Sequence, residues 1–489
     1  PHMSARRQRQ MCIRDSFLGN SSGENANSMR LERTRMLAEL NKKFDGIDAS
    51  TVSASEKEEY ALYEKLVGEV EAERATYGRA VAYFGMINGM IDETPNTLNG
   101  IMGKSNPSVA EVEEKMEALE KEINGFEKTL KKGEDKAVEE KMAKAIDDYD
   151  QLEFAKAVLT GDLSKEEMNE RIEMFQGMID THHNVDFDGR SIVGDNPDDF
   201  ADVKYGNNDV EGPDALHGTH VGGIVGAVRG NDLGGDGVAN DVLLMSLRAV
   251  PDGDEFDKDI ALAIRYAVDN GASIINMSFG KSYSPHQKEV YEAFAYADSK
   301  GVLCIHAAGN DNADIDATPN FPTSMYSFQT KKLDHFMTIG SCTKDLKKKV
   351  MLPAPTEKNP DKMKKTKLGF LPSPFSNYGQ TGVDVFAPGS EIYNAVPQSD
   401  YKELQGTSMA CPMVSGVAAM LKSYFPEMTM KEIKDVILST ATSYKGTMQV
   451  KPGTEAELID FGKLSVTGGV VNVYSAVKEC LRIEKEKSK

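Results

Sequence analysis

The sequence is poor in cysteine, in positive charge and in long apolar runs, and each scarcity excludes a class of protein. Its five cysteines are widely spaced and odd in number, so they specify neither a disulfide framework nor a CxxC metal site. No apolar run approaches the roughly 18 residues that cross a bilayer, so we expect no membrane span. The formal net charge of −20 argues against a nucleic-acid partner.

The first 16 residues, PHMSARRQRQMCIRDS, differ from the rest of the chain. Pro-His-Met is typical of a cloning remnant, and the Arg-rich stretch lacks the apolar core of a signal peptide. We predict that residues 1–16 are a non-native or mis-assembled leader and that natural sequence is missing upstream. The alternative is a basic arm for a partner.

Residues 17–183 begin with a polar stretch and continue as charged sequence with apolar residues at helical spacing. Ser164, followed by acidic residues, predicts a helix start. Pro95 and the Asn/Gly-rich segment 93–106 predict a break before a new helix over 105–132. The region is predicted to be a charged, mainly α-helical insertion. It is either a partner-binding or gating arm or, as we favour, a solvated insertion packed on a larger domain.

Residues 184–480 alternate short apolar runs with helical patterns. This alternation predicts an α/β fold with a mostly parallel sheet covered by helices on both faces, and sites at the strands' C-terminal ends. The Lys-rich segment 343–372 is predicted to be a surface loop, and 481–489 a charged tail. The predicted strands are 241–250, 272–280, 302–310, 335–342 and 383–389, with helices over 257–271 and 285–301.

Three segments place reactive side chains where such a sheet would hold a site. His217 begins a helix rich in small residues, Ser408 follows Gly406 at the start of an apolar helix, and Asn310 ends an apolar strand. Unpaired N–H groups at a helix start stabilise an oxyanion, and an Asn amide donates to one. The alternative structural roles are a helix N-cap for Ser408 and a turn residue for Asn310. His220, one turn after His217, is predicted to be structural.

Two further residues of the Ser408 helix bear on the chemistry. Cys411 is an alternative nucleophile, but a packed apolar role in the helix fits it better. Pro412 is expected in the first turn, where its missing N–H is tolerated.

The motifs HGTHVGGIVG, SIINMSFG, AAGN, FSNYG, VDVFAPG and GTSMACPMVSGVAA occur in this order and resemble the subtilisin-like serine peptidases, or subtilases. The resemblance covers about residues 184–480 and implies a three-layer αβα fold. It implies that Ser408 is the nucleophile and His217 the general base and then acid. Asn310 would form the oxyanion hole with the Ser408 N–H.

The resemblance also implies peptide or protein substrates that bind as extended strands. It implies no required cofactor, with structural calcium as an expectation, and export to the periplasm, cell envelope or exterior. The residues that would line the two edges of the substrate cleft are Ser278, Phe279 and Gly280 on one side and Arg248, Ala249 and Val250 on the other.

The sequence departs from the family in one element. In subtilases, an aspartate at the end of an apolar strand precedes the histidine along the chain and orients the histidine ring. The nearest candidate is Asp180, but the residues before it have helical spacing and His182 stands where the family has glycine. FLGNSSGENANS, the long helices and YGNNDVEGPDALHGTH resemble a Bacteroidetes-type branch in which the aspartate strand precedes a helical insertion. We therefore expect the aspartate upstream of this chain and an impaired enzyme.

Two other functions remain open. A non-catalytic peptide-binding or interaction module on a subtilase frame would be favoured by loss of Ser408, His217 or Asn310, yet all three are present. A metal hydrolase that uses a cluster of Asp and His residues is the weaker idea, because a solvated acidic loop explains that cluster better. That cluster comprises Asp180, His182, His183, Asp186 and Asp188.

Overall fold

The computed structural model describes residues 31–131, 135–251, 255–344, 346–353 and 363–487. Contacts divide the chain into two compact units, one of residues 1–39 with 188–489 and one of residues 40–187. The predicted leader, residues 1–16, lies outside the described residues. The predicted division into leader, insertion, peptidase domain and tail stays a prediction.

Helices and strands are numbered here in chain order. The α-helices of the described chain are α1 (Leu31–Phe44), α2 (Lys57–Met102), α3 (Val109–Leu130), α4 (Lys136–Thr160), α5 (Lys165–Asp180), α6 (Arg190–Val193), α7 (Leu216–Gly226), α8 (Asp257–Asp269), α9 (Gln287–Ser299), α10 (Thr407–Tyr424), α11 (Met430–Ser439) and α12 (Val473–Lys487). None of the described helices is long and apolar enough to cross a membrane.

The strands are β1 (Ile274–Met277), β2 (Leu303–Ala307), β3 (Phe336–Cys342), β4 (Lys348–Pro353), β5 (Met363–Leu368), β6 (Val385–Pro388), β7 (Ile392–Val396), β8 (Asp400–Leu404), β9 (Thr442–Ser443), β10 (Met448–Val450), β11 (Leu458–Asp460) and β12 (Gly469–Val470).

The unit of residues 40–187 is helical, as its apolar spacing predicts. Helix α2 packs on α4 and α5, and α3 packs on α4. Ser164 caps α5 by accepting the N–H of Glu167, as predicted. The buried core comprises Leu98, Val112, Leu119, Ile123, Ala145, Ile146, Tyr149, Leu152 and Ala155.

The predicted break falls within the segment 93–106 but not at Pro95, because α2 continues through this residue to Met102 and α3 begins at Val109. Proline removes one intrahelical hydrogen bond and costs about 3 kcal/mol in a helix interior. Burial of Thr94 and Leu98 on the inner face of α2 offsets that cost. The helix ends instead at Gly103, whose φ of 69° is the left-handed conformation that glycine adopts without strain.

The main sheet of the other unit has the strand order β1-β2-β3-β6-β12-β9. The first five strands are parallel and β9 is antiparallel to β12. Alternate residues of β2 face opposite ways: Ile305 packs with α10, α11 and α12, whereas Cys304 packs with α8 and α9. The prediction of a mostly parallel sheet between two helical layers is confirmed.

Residues 241–250, predicted as a strand, form no β-pairing in the structure. Most of their apolar side chains are exposed, Leu243 fully and Leu244 by 56%. A strand needs a neighbour for its backbone N–H and C=O groups. Strand β1, at the sheet edge, pairs with β2 and with no second strand of the described chain. The strand prediction is therefore wrong for the described residues.

The described parts of the Lys-rich segment 343–372 contain two strands where a loop is predicted. Strands β4 and β5 within it pair antiparallel, with Lys348 opposite Leu368. The facing backbone groups of the two strands bond to each other, and a count of lysines does not reveal such pairing. Residues 354–362 lie outside the described residues.

Replacing Pro95 by alanine tests the interruption in α2. We expect Pro95→Ala to raise the free energy of unfolding of the helical unit by about 1–2 kcal/mol. Removing proline from a helix interior relieves a cost of about 3 kcal/mol. The net gain in stability is smaller, because the unfolded chain gains conformational freedom when proline is removed. Urea denaturation followed by circular dichroism measures the change. The neighbouring exposed Asn96→Ala is the matched control and should change stability by less than about 0.7 kcal/mol; a loss of stability in Pro95→Ala contradicts this account.

Candidate active site

The C-terminal ends of β1 and β2 and the start of α10 meet on one side of the sheet. Residues 278–280 follow β1, and residues 308–310 follow β2. Adjacent parallel strands end at the same edge, which is where an α/β sheet offers a crevice. Ser408 is the second residue of α10, and its side chain is 3% exposed.

Gly406 gives the chain its sharp entry into α10. Its φ of 154° lies in the region that favours glycine, and its N–H donates to the Gly389 carbonyl at 2.8 Å. A Cβ at this position would stand 3.3 Å from Nδ2 of Asn310. Glycine therefore leaves room for the Asn310 amide beside the nucleophile.

Thr407 fixes the orientation of Asn310. The amide oxygen Oδ1 of Asn310 accepts the Thr407 N–H at 2.8 Å and the Thr407 hydroxyl at 2.9 Å. The same hydroxyl accepts the N–H of Gly309 at 3.0 Å. Because Oδ1 is held by two donors, the Nδ2 donor points away from Thr407. Neither this Nδ2 nor the Ser408 N–H has a hydrogen-bond acceptor among the described residues.

Ser278 and Ser408 are linked by two hydrogen bonds. The Ser278 hydroxyl donates to the Ser408 carbonyl at 2.8 Å, and the Ser408 hydroxyl donates to the Ser278 carbonyl at 3.2 Å. The Ser408 carbonyl is available because its α-helical donor would be residue 412, which is proline. Pro412 thus lies in the second turn of α10 rather than the predicted first, and its missing N–H leaves that carbonyl to Ser278.

His217 lies in the first turn of α7, and α7 packs against α10. Its ring makes no hydrogen bond or ion pair with another residue in the part of the chain that the structure describes. Burial lowers the pKa of His217, the nearby His220 lowers it further, and the Asp214 carboxylate opposes the shift. A histidine that is neutral near pH 7 is suited to accept a proton.

His220 and Cys411 have structural environments. Nε2 of the buried His220 donates to the carbonyls of Ile392 and Lys402, which joins α7 to the β7–β8 hairpin. The buried Cys411 thiol donates to the Ile305 carbonyl at 3.2 Å, and burial raises its pKa to about 12. A thiol that stays protonated is a poor nucleophile, which argues for the packing role.

A small cleft lies beside Ser408. Two of the predicted binding residues, Phe279 and Gly280, line it. Ser278 adjoins it through its bonds to Ser408. The other lining residues are Ala307, Gly309, Asp311, Asn320 and Thr407.

The residues predicted for the opposite edge lie elsewhere. Arg248 pairs with Asp209 at 3.1 Å, and Ala249 packs partly against the core under α8 and α9. Val250 is 37% exposed. None of the three lines the cleft in the described chain, because the segment that carries them has no strand partner.

Asp180 does not occupy the end of a strand. It is the last residue of α5, in the helical unit, and its exposed carboxylate accepts Nε2 of Gln176 at 2.9 Å. His182 and His183 are buried nearby, and the ring of His183 contacts Tyr77. Among the described residues, no three His, Cys, Asp or Glu side chains are grouped as metal ligands.

Sequence reasoning overlooked the residues that hold the site. Thr407 and Asn377 lie inside the GTS and FSNYG motifs, and Asp311 follows AAGN directly. Their positions within or beside these motifs could have indicated from the sequence that they belong to the site. Their partners were not visible in the sequence, because Thr407 binds Asn310 across 97 positions.

Comparison with known proteins identifies the family of this chain. The model of the subtilase family, Peptidase S8, matches residues 137–457. The chain belongs to the subtilase family. Among relatives of this subtilase, a thermophilic serine proteinase of Bacillus sp. (strain AK1) is 32% identical over 287 residues, 58% of this chain and 60% of that protein. Thermitase of Thermoactinomyces vulgaris is 34% identical over 232 residues, 47% of this chain and 69% of its own.

This subtilase spans less than two thirds of some relatives. The match covers only 17% of Subtilisin-like protease 2 of Plasmodium falciparum. A solved structure of subtilase cytotoxin SubAB is 22% identical, covers 56% of this chain and 79% of its own, and has a TM-score of 0.42.

The environment of His217 predicts its titration. We expect its pKa to lie below the ordinary 6.5, and Asp214→Asn to lower it further by removing the opposing charge. The folded state then binds a proton less readily than the unfolded state. The corresponding stability is therefore present above pH 6.5 and is lost as the pH falls towards the folded pKa.

Histidine NMR titration measures this pKa, with His217→Gln assigning the signal. A His217 pKa above 6.5, or an increase in Asp214→Asn, would contradict the described environment.

Proposed function

We propose that this subtilase is a serine endopeptidase that hydrolyses peptide bonds through an acyl-enzyme on Ser408. The supporting observation is the pair of unengaged donors beside the nucleophile, Nδ2 of Asn310 and the N–H of Ser408. Thr407 holds the Asn310 amide in place before substrate arrives. Donors that need no reorganisation are the arrangement that stabilises a developing oxyanion most strongly.

The proposed reaction begins when the Ser408 hydroxyl attacks the substrate carbonyl and His217 takes its proton. The tetrahedral oxyanion accepts hydrogen bonds from Asn310 and the Ser408 N–H. His217 then protonates the leaving amine, and a water repeats the sequence to release the acyl group. The Ser408 hydroxyl must first leave the Ser278 carbonyl, to which it donates in the free protein.

We propose that the aspartate for His217 belongs to a strand outside the described residues. Among the described residues, strand β1 has no second strand partner, and residues 241–250 form no β-pairing and leave Leu243 and Leu244 exposed. A strand between β1 and residues 241–250 would pair with both of them. If it ran parallel to β1, its C-terminal end would lie at the same end of the sheet as Ser408 and Asn310. Without its carboxylate, turnover falls by about 10⁴-fold while the nucleophile and oxyanion donors remain.

A non-catalytic peptide-binding module is the second candidate. The observation that favours it is the isolation of His217, which no described carboxylate orients through a hydrogen bond. In such a module the cleft would bind peptides while Ser408 stayed unreactive. Reaction of Ser408 with a mechanism-based reagent separates the two functions.

The remaining family expectations are part of this proposal. Residues 278–280 would pair with an extended substrate, and Arg248, Ala249 and Val250 would reach the opposite edge only once their segment is paired. The catalytic steps use no cofactor. Structural calcium stays an expectation from the family resemblance. Secretion is proposed because a relative is named an extracellular serine protease.

Labelling with a fluorophosphonate tests the nucleophile. We expect slow formation of an adduct on Ser408, located by mass spectrometry, and none in Ser408→Ala. Asp180→Asn should leave the rate unchanged, since Asp180 accepts from Gln176 at the end of α5. Loss of labelling in Asp180→Asn would mean that Asp180 orients His217. An adduct at another residue would contradict the assignment of Ser408.

The oxyanion donor is tested separately. Asn310→Ala should slow acyl transfer from a nitrophenyl ester to Ser408 by about 100- to 1000-fold, a range established on subtilisin rather than derived for this chain. Thr407→Val should also slow it, because the Asn310 amide loses one of its two fixing donors. The control, Thr407→Ser, retains the hydroxyl and should stay near the wild-type rate. Equal rates in Asn310→Ala and wild type would remove Asn310 from the mechanism.

A further inference from the structure

The Lys-rich segment 343–372 begins at the edge of the sheet that holds the candidate active site. It follows β3, which lies parallel to β2 and beside it, and β2 leads into residues 308–310. Because parallel strands end at the same edge, the hairpin of β4 and β5 starts next to the loop that carries Asn310. The two strands pair at six positions, so the hairpin is about 20 Å long.

Hydrogen bonds connect the base of this hairpin to the site. The N–H of Thr343 donates to the Leu371 carbonyl at 2.8 Å, which closes the base. The chain that leaves the hairpin then reaches Asn377. The N–H of Asn377 donates to the Gly309 carbonyl at 2.9 Å, and its Oδ1 accepts the N–H of Asp311 at 2.9 Å. The exit of the hairpin is therefore bonded to both neighbours of the proposed oxyanion donor.

The Lys-rich segment has a charge opposite to that of the whole chain. It contains nine lysines and three acidic residues, whereas the formal net charge of the chain is −20. Lys347, Lys348 and Lys367 are exposed, and none of the three forms an ion pair in the part of the chain that the structure describes. The strand register also places Lys349 opposite Lys367, an arrangement of like charges that weakens strand pairing.

An acidic segment of a polypeptide fits this surface better than a long polyanion does. A nucleic-acid duplex or a charged membrane would extend beyond the hairpin and meet a chain whose net charge is negative. A short acidic segment would meet only the lysines, and the rest of the same polypeptide would reach the cleft beside Ser408 at the same edge of the sheet. Lys344, which precedes the hairpin, already pairs with the Glu391 carboxylate.

We propose that Lys347, Lys348 and Lys367 bind acidic segments of polypeptide substrates and so bring these substrates to Ser408; this inference rests on the peptidase function proposed above. None of the three lysines lines the cleft, so the surface acts at a distance from the bond that is cut. Its effect is a higher local concentration of substrate near Ser408. Each exposed contact is weak, and three together predict about a five- to thirtyfold gain that salt reduces.

Tethered fluorophosphonates test the proposal on the full chain. The reactive group is joined through a Gly/Ser spacer of about ten residues to hexaglutamate or hexaglutamine. Such a spacer spans about 18 Å, close to the length of the hairpin, and leaves the acidic tract free to approach from either side. We expect the glutamate reagent to label Ser408 about five- to thirtyfold faster than the glutamine reagent at low salt, and the gain to disappear in about 0.5 M NaCl.

Lysine variants locate the effect. Each rate is divided by the rate of an untethered fluorophosphonate on the same variant. The triple variant Lys347→Gln, Lys348→Gln and Lys367→Gln should bring the glutamate and glutamine rates within about twofold. The matched control removes the same charge from exposed positions of the helical unit and should keep the preference: Lys57→Gln, Lys121→Gln and Lys141→Gln. Equal rates in wild type, a preference that survives the hairpin substitutions, or its loss in the control overturns the proposal.

The untethered fluorophosphonate separates this proposal from the proposed function. If it labels Ser408 and the glutamate tract brings no gain, the peptidase function stands and the lysine surface fails. If no reagent labels Ser408, the peptidase function fails for this chain, and fluorescence anisotropy then measures the binding of labelled hexaglutamate to Ser408→Ala. Tighter binding than that of hexaglutamine, lost when the three hairpin lysines are replaced, supports the lysine surface; equal binding overturns it.

The same binding assay distinguishes other anionic partners. A DNA duplex and vesicles of phosphatidylcholine with phosphatidylserine are compared with hexaglutamate on Ser408→Ala. We expect both to bind more weakly than hexaglutamate, because their charge extends over the acidic remainder of the chain. Tighter binding of either one through the hairpin lysines would identify a different partner and overturn the proposal.

Discussion

The hydrogen bonds between Thr407 and Asn310 join the two halves of the site. Asn310 follows a strand of the sheet, and Thr407 begins the helix that carries Ser408. Two donors from Thr407 meet one amide oxygen, and the Thr407 hydroxyl also accepts from Gly309. Each such bond contributes only about 0.5–1.5 kcal/mol to stability. Their larger effect is geometric, because they fix which end of the Asn310 amide faces the nucleophile.

The surrounding sequence lets this junction form with only a small loss of folding free energy. Gly406 accepts a backbone conformation that other residues avoid and leaves space for the Asn310 amide. Pro412 removes one helical donor, and Ser278 supplies the replacement by binding the Ser408 carbonyl. A residue that would weaken an ordinary helix thus allows the edge of the sheet to hold the first turns of α10. The parallel sheet supplies the frame, since β1 and β2 deliver residues 278–280 and 308–310 to one edge.

How far the fold could be predicted depended on the range of the interactions. Helix α8 and strand β2 followed from local periodicity, because a buried face imposes a repeat on neighbouring residues. Pro95 and residues 241–250 were misjudged because packing and strand partners, which lie far along the chain, decide their structure. The β4–β5 hairpin was missed for the same reason.

The candidate site divides in the same way. His217, Asn310 and Ser408 stand in motifs that the sequence displays, whereas the anchoring role of Thr407 and the position of Asp311 in the cleft arise only when distant segments meet. Sequence motifs therefore indicate the candidate site residues, and the fold shows which neighbours hold them.

The central claim is that Ser408 and two prepared donors form a site for a tetrahedral oxyanion. Boron-11 NMR of a peptide boronic acid bound to the full chain tests it most directly, because a boronic acid becomes tetrahedral when a nucleophilic hydroxyl adds to it and no turnover is needed. The account predicts a tetrahedral boron signal in the wild type that is absent in Ser408→Ala. A bound boronic acid that stays trigonal in the wild type would contradict it.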